Sequence, residues 1–268
     1  MKQLKFLMLA FTLLMGVSLT SCLSDNNGES AYDGYLVART VYGSYFVDLA
    51  GNTYYPTTTS VLEMETKYGF KISSADLVEI TFKYVDDTSA KSKATSTTPK
   101  KYNIQLVGAA AIDSYRAVAV NTVEEMEEET VENAPIMTLN PLNGYGQTTA
   151  PTLYGAEMLI LPVQWKMENA VTALEQHTFS LVSVSEDKDA TNSTLVFYLR
   201  HNKGTDTKSD AYAIRNKAYD IENILSDFKE ENKNYPTRII IKAKVNTSDI
   251  TLPETYTEYT LDNLNLNK

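Results

Sequence analysis

Two histidines, His177 and His201, are all the imidazole chemistry that the 268-residue chain can offer. Neither stands at a zinc-type spacing, and the single cysteine, Cys22, cannot supply the remaining ligands of a tetrahedral site. His201 sits between Arg200 and Asn202. That cluster could contact a ligand, or it could close a strand and bond the turn that follows. The Gly-x-Ser-x-Gly elbow, the Gly-x-Gly-x-x-Gly turn and the phosphate-cradling Gly-Lys-Ser/Thr loop are all absent. With 34 Asp and Glu in the chain some carboxylates must lie close together. A glycosidase needs two of them set across a cleft at a fixed separation, which sequence does not report. The remaining signal is aromatic. Tyr42, Tyr45, Tyr54 and Tyr55 crowd one short stretch, and Trp165 is the only tryptophan. Such rings can stack on a sugar or anchor a protein, or they can simply pack a half-buried sheet. No metal, cofactor or catalytic residue is expected from these patterns, and the first expectation is a binding protein.

The other informative chemistry lies at the beginning. Lys2 and Lys5 precede an apolar run from Phe6 to Val17, too short for the roughly 20 residues of a spanning helix. A charged start, a short apolar centre and a small-residue exit describe a processed targeting segment. Leu19-Thr20-Ser21-Cys22 resembles the bacterial lipobox. That resemblance implies cleavage before Cys22, diacylglycerol on its sulfur and a further palmitate-type chain on the new amino group. Several chains hold a protein far better than one, which alone binds only marginally and reversibly. Acylation also accounts for an odd cysteine in an exported chain. Residues 23–30 then form a polar tether. Leu23, where an inner-membrane retention signal would carry aspartate, favours the outer membrane. Ser24-Asp25 loosely resembles a short acidic surface-export signal.

The net charge is −10, and it deepens once Lys2 and Lys5 leave with the leader. A polyanionic surface repels phosphate backbones, so nucleic acid is not an expected partner.

The elements that must position the tyrosines read as strands. Tyr35 to Val41, Tyr45 to Leu49 and Thr53 to Thr57 are separated by Gly43-Ser44 and Ala50-Gly51-Asn52, a meander pattern. Ser60 to Tyr68 reads as a short helix or a loop, ending at Gly69. Val78, Ile80, Phe82 and Tyr84 alternate with polar residues, as one face of a strand does. Asp86 to Lys101 lacks large apolar residues and reads as a mobile hairpin tip. Tyr102 to Val107 and Tyr115 to Val120 complete a set suited to a small closed barrel. Glu124, Glu125 and Glu127 to Glu129 read as a solvated linker or short helix, with a cation site as the alternative. In the second half, strands are expected at Leu159 to Met167, Phe179 to Val182, Leu195 to Arg200, Ile239 to Val245 and Thr255 to Leu261. Leu195 to Arg200 is apolar on both faces, as a central sandwich strand would be. Ile221, Ile224, Leu225 and Phe228 have helical spacing, against a strand ending near Ile221.

Taken with the lipobox and a strand beginning near Gly34-Tyr35, three segments resemble the NigD-like lipoproteins of Bacteroidetes. They are the hairpin through Tyr45-Phe46-Val47-Asp48, the segment Gly51-Asn52-Thr53-Tyr54-Tyr55-Pro56, and Phe197-Tyr198-Leu199-Arg200-His201-Asn202. The chain departs from the pattern at Tyr55, where tryptophan is expected, and in the long loop from Asp86. The resemblance implies an all-β chain: an N-terminal OB-like small barrel followed by a C-terminal β-sandwich. The expected division is a leader at 1–21, a lipidated tether at 22–32, the barrel at 33–122, an acidic linker at 123–138 and the sandwich at 139–268. The expected protein is anchored to the outer membrane through Cys22 and binds a protein or glycan partner. Tyr42, Tyr45, Tyr54, Tyr55, Arg200 and His201 are the candidate contacts. An assembly accessory of an outer-membrane complex is the alternative, and a carbohydrate hydrolase a more distant one.

Overall fold

The computed structural model describes residues 32–85, 99–143, 148–264 and 266. The lipobox with Cys22, the tether and most of the loop after Asp86 lie outside the described residues. The chain divides into two compact units with the boundary after Asp113.

The first unit is a closed five-stranded barrel in the order β1-β2-β3-β5-β4. Its strands are β1 (Gly34–Val41), β2 (Tyr45–Val47), β3 (Thr53–Pro56), β4 (Leu77–Tyr84) and β5 (Lys101–Ala111). Closure comes from β1 pairing with β4, and from β3 running parallel to β5. This is the OB-type arrangement, in which a short barrel has no free edge. Alternation decides what fills it. Ala38, Phe46, Tyr54, Ile80, Phe82 and Ile104 point inward and are buried. Gly34 makes room for one of them, since a Cβ there would lie 2.5 Å from Phe82 Cζ. Helix α1 (Thr58–Tyr68) follows β3. The Thr57 hydroxyl accepts the Ser60 N–H at its start, and Gly69 ends it at φ 68°. In β5 the register shifts opposite Thr81 and Phe82, leaving Val107 as the extra residue, so that Leu106 pairs with Phe82 and Ala109 with Ile80 in the core.

The second unit is a sandwich. One sheet runs β14-β13-β11-β10-β7 and the other β6-β12-β9-β8. The first contains β7 (Val118–Val120), β10 (Thr178–Val184), β11 (Thr194–Asn202), β13 (Arg238–Ala243) and β14 (Thr257–Leu261). The second contains β6 (Ser114–Arg116), β8 (Thr152–Tyr154), β9 (Met158–Met167) and β12 (Ala211–Asp220). The expected barrel strand from Tyr115 to Val120 is therefore corrected. It splits at the buried Ala117 into β6, parallel to β12, and β7, parallel to β10. Both belong to the sandwich.

The acidic segment also belongs there. Glu124 to Glu129 lie in helix α2 (Val123–Glu129), whose capping box pairs Thr122 with Glu125 while Met126 is fully buried. Met126 packs with Val182, Val196, Tyr198 and Ile240 on the outer face of the five-stranded sheet. The inner face meets the other sheet around Trp165, Phe197, Leu199 and Tyr219. β11 is thus covered on both sides, as its continuous apolar run anticipates. A short turn of helix, α3 (Val171–Leu174), precedes β10. Both readings near Ile221 hold in part: β12 ends at Asp220, and α4 (Glu222–Asn232) buries Ile224, Leu225 and Phe228.

Candidate functional site

The four clustered tyrosines part company. Tyr45 precedes the inward-facing Phe46 by one residue and Tyr55 follows the inward-facing Tyr54 by one, so strand alternation turns them to the outside of the barrel. Their ring centroids lie 5.2 Å apart. Tyr42, on the β1–β2 turn, meets the edge of Tyr45 at 6.5 Å and is 92% exposed. Asn103, paired with Tyr55 across the parallel β3–β5 ladder, is also exposed.

The turn that presents Tyr42 is unusual. Tyr42 and Gly43 both have positive φ, 51° and 61°, and the Ser44 N–H donates to Val41 O at 3.1 Å. This is the backbone of a primed hairpin turn, whose first central position favours Asn, Asp or Gly. A left-handed conformation costs a side-chain-bearing residue about 1–2 kcal/mol. Gly43 lies against the 3-10 turn Ile72–Ser74. A Cβ at Gly43 would lie 2.9 Å from Ser73 Cβ. A large ring held at that cost and left in solvent, with little burial to offset it, is the kind of feature that function maintains.

Tyr54 is corrected from the contact set to the core. It stacks on Tyr102 at 5.1 Å inside the barrel and donates its hydroxyl to Asp48 Oδ2 at 2.9 Å. Burial, with the nearby Asp48 charge, pushes its phenol well up. Asp48 Oδ1 accepts the N–H groups of Ala50 and Asn52, so Tyr54 ties the β2–β3 turn to the interior.

Arg200 and His201 are corrected likewise, being 5% and 1% exposed. Arg200 Nη1 lies 3.4 Å from Glu132 Oε2, and Nη2 donates to Thr130 O at 3.1 Å. Glu132 also lies 3.5 Å from Lys244 Nζ and accepts from the Tyr256 hydroxyl at 3.2 Å. Burial raises the Glu132 pKa against the pull of both cations. One strand pair along, Lys242 Nζ lies 2.7 Å from both Asp187 Oδ1 and Asp189 Oδ2, and Tyr198 donates to Asp187 Oδ2. Burial works against the Asp187 charge, but bonds from Lys242, Tyr198 and the Asp189 N–H outweigh it and leave its pKa below the usual carboxylate range. The first group is held by Thr130 and Glu132, just after α2, and the second by Asp187 and Asp189 of the β10–β11 loop. Sequence reading missed them because Lys242 and Lys244 alternate with Ile241, Ala243 and Val245, as a solvated face does. Tyr198 and Arg200 at alternate positions of the doubly covered β11 are the one signal that this outer face is covered.

His201 bonds His177, which bonds Asp206. The same ring stacks on Phe179 at 4.4 Å. Burial pushes His201 down to about 3. This is an interior polar chain and not a surface contact.

Among the described residues, no three His, Cys, Asp or Glu side chains are placed to hold a metal ion. A cleft of about 680 Å³ in the second unit is lined by Glu125, Glu129, Asp227 and Glu231. One carboxylate oxygen of Glu125 is already committed to the Asn121 N–H. The acidic lining carries no imidazole, amine or guanidinium that could set two carboxylates to opposite roles.

No family model matches the chain, and no curated protein matches it. Its fold is found in solved structures. A protein taken to be a lipoprotein from Bacteroides fragilis is 24% identical, with 85% of this chain and 96% of that one aligned at a TM-score of 0.65. A DUF1344 protein of unknown function from Bacteroides vulgatus is 10% identical over 87% of this chain and 92% of that one, at a TM-score of 0.53. A NigD-like immunity protein from Bacteroides caccae is 13% identical over 85% and 96%, at a TM-score of 0.51. These likenesses show a shared fold, a barrel followed by a sandwich, as the three sequence segments imply.

Proposed function

We propose that the chain is a NigD-like, lipid-anchored protein of the bacterial envelope. It binds a protein or glycan partner through the outer tyrosine face of its barrel and catalyses no reaction. The observation that carries the reading is Tyr42, fully presented on a left-handed turn beside Tyr45 and Tyr55. Aromatic side chains bury much area at small entropic cost and dominate binding energies where they are pre-positioned. Two outward rings packed together and one raised on a rigid turn meet that description. The anchor rests on Leu19-Thr20-Ser21-Cys22, and the fold shared with a protein taken to be a lipoprotein supports it. Leu23 supports the outer membrane as destination. The acidic surface supports a partner that is neither nucleic acid nor anionic lipid surface.

The test compares the native chain with a Tyr42→Ser, Tyr45→Ser double variant, expressed in the parent cell. Both are probed by crosslinking to envelope proteins and by retention on immobilised envelope glycans. Capture by the native chain and its loss in the variant support the reading. Equal capture by both places the contact elsewhere and ends the tyrosine-face assignment. Cys22→Ala tests the anchor separately: the variant is expected in the soluble fraction, and membrane retention without the cysteine would remove the lipid assignment.

A further inference from the structure

Four groups in the sandwich form an unbroken chain of short contacts. His201 Nδ1 lies 2.9 Å from the Pro135 carbonyl, His201 Nε2 lies 2.8 Å from His177 Nδ1, and His177 Nε2 lies 2.9 Å from Asp206 Oδ2. Each contact has hydrogen-bond length, so each needs one proton between its two atoms. The Pro135 carbonyl can only accept, so His201 Nδ1 must donate. His201 Nε2, if bare, must then accept from His177 Nδ1. His177 Nε2 faces Asp206, whose Oδ2 also accepts the Glu168 N–H at 2.8 Å and whose Oδ1 accepts the Lys208 N–H at 2.9 Å. A carboxylate oriented by two backbone donors is an acceptor, so His177 Nε2 must donate as well. Three contacts thus require three ring protons, and two neutral imidazoles carry only two.

We infer that the structure holds one additional proton on His177, making a buried imidazolium paired with Asp206 and bonded through His201 to the Pro135 carbonyl. Burial, with Lys203 nearby, lowers the His177 pKa against the pull of Asp206, and the proton count opposes that lowering. Here the carboxylate charge is already inside: the His177 and Asp206 side chains are each 1% exposed. A neutral His177 leaves one buried anion and one contact between two lone pairs. A protonated His177 leaves no net charge and every contact bonded. The other charges nearby are Lys203 and, on the backbone segments that hold Asp206, the exposed Glu168–Lys208 pair. The remaining neighbours are the rings of Trp165 and Phe179. The proton has a structural consequence, because the chain it completes joins the start of β10, the end of β11, the loop at Asp206 and the Asn133–Pro135 arm. The His201 carbonyl also accepts from the N–H groups of Asn133 and Ala134.

The folded state then binds one proton more than the unfolded chain above the ordinary histidine pKa of about 6.5. With that proton in place the folded His177 pKa is the raised one, against the lowering that burial imposes. Its stabilisation is therefore complete below that value and is lost as pH rises toward the folded pKa, the unfolding constant growing about tenfold per pH unit.

The chain has only two histidines, so the test is a count. In the full chain, nitrogen-15 NMR of the four ring nitrogens at pH 7.5 is expected to show three bearing protons. Two bearing protons would overturn the inference. Asp206→Asn supplies a side-chain N–H in place of an acceptor, and is expected to reduce the count to two and to abolish the pH dependence of urea unfolding between pH 7 and 8.5. A wild-type unfolding constant that is flat across that interval would also overturn it, whether or not the variant folds.

Discussion

Tyr45 and Tyr55 on the barrel and Tyr198 on the sandwich all project from the outer side of a sheet. The first two remain half-exposed and touch each other. Tyr198 is 5% exposed, donates to Asp187 and meets the Tyr256 ring edge-on at 4.9 Å. The difference is what lies above the sheet. Among the described residues no second apolar cluster covers the barrel's outer face, whereas α2 and its flanking segments close over the sandwich's five-stranded sheet. Strand alternation says which side a residue takes. Whether that side is wet depends on a covering segment far away in sequence. In the barrel, alternation therefore yields a half-exposed aromatic surface. In the sandwich the same alternation yields a second core, and charged groups on it must be paired.

The largest effect expected from this contrast is Asp187→Ala. It strips Lys242 of a buried partner and Tyr198 of its acceptor, while Asp189 remains. Leaving a buried cation poorly compensated is expected to cost about 3 kcal/mol. Trp165 is the only tryptophan and lies in the sandwich core, so its fluorescence during urea unfolding reports that unit. A shift below about 1 kcal/mol, the value of surface pairs, would show that water reaches the cluster. The pH dependence sharpens the same point. Because the folded Asp187 pKa is lowered, its stabilisation is present above the ordinary carboxylate value of about 3.9 and is lost as pH falls toward the folded one. Acid is therefore expected to weaken the wild-type sandwich more steeply than the Asp187→Ala variant, read by the same fluorescence.

On the barrel the interior is the sensitive side. Gly34→Ala places a methyl group against the Phe82 ring, and overpacking of that kind is expected to cost about 1–3 kcal/mol. Tyrosine circular dichroism during unfolding follows it. An unchanged midpoint would show that the ring moves aside freely and that the glycine serves no packing purpose.

Tyr42→Asn is expected to act in the opposite direction. Asparagine suits the left-handed position, so the barrel should gain up to about 1 kcal/mol while partner capture falls. A variant that is more stable and weaker in binding is the signature of strain kept for function. A less stable variant would mean that the exposed ring contributes packing of its own.

The barrel was legible in sequence where patterns are local: the Val78 to Tyr84 alternation, the glycine turns and the helix stop at Gly69. The boundary was less so. Tyr115 to Val120 has strand composition, but nothing local says that β6 and β7 pair in parallel with strands dozens of residues later. Of β12 only its end near Ile221 was legible, because Ala211 to Asp220 mixes alanine, tyrosine and charge without clean alternation, being only half-buried along most of its length. Of the candidate contacts, Tyr45 and Tyr55 could be separated from Tyr54 by parity alone. The burial of Arg200 and His201 required knowing that Glu132, His177 and the Pro135 carbonyl converge on them.

The smallest effect is the most discriminating, because it sets two carboxylates at one distance from one amine. Asp187 and Asp189 each place an oxygen 2.7 Å from Lys242 Nζ, but the side chain of Asp187 is 3% exposed and that of Asp189 is 34%. Coulomb attraction at equal separation would predict equal losses. Solvent access predicts otherwise: water replaces Asp189 around the amine, Asp187 still holds it, and the Tyr198 bond is untouched. Asp189→Ala is therefore expected to cost less than about 1 kcal/mol by the same Trp165 fluorescence. Equal losses for the two variants would mean that charge separation governs the cluster, and that burial is not what distinguishes the sandwich face from the barrel face.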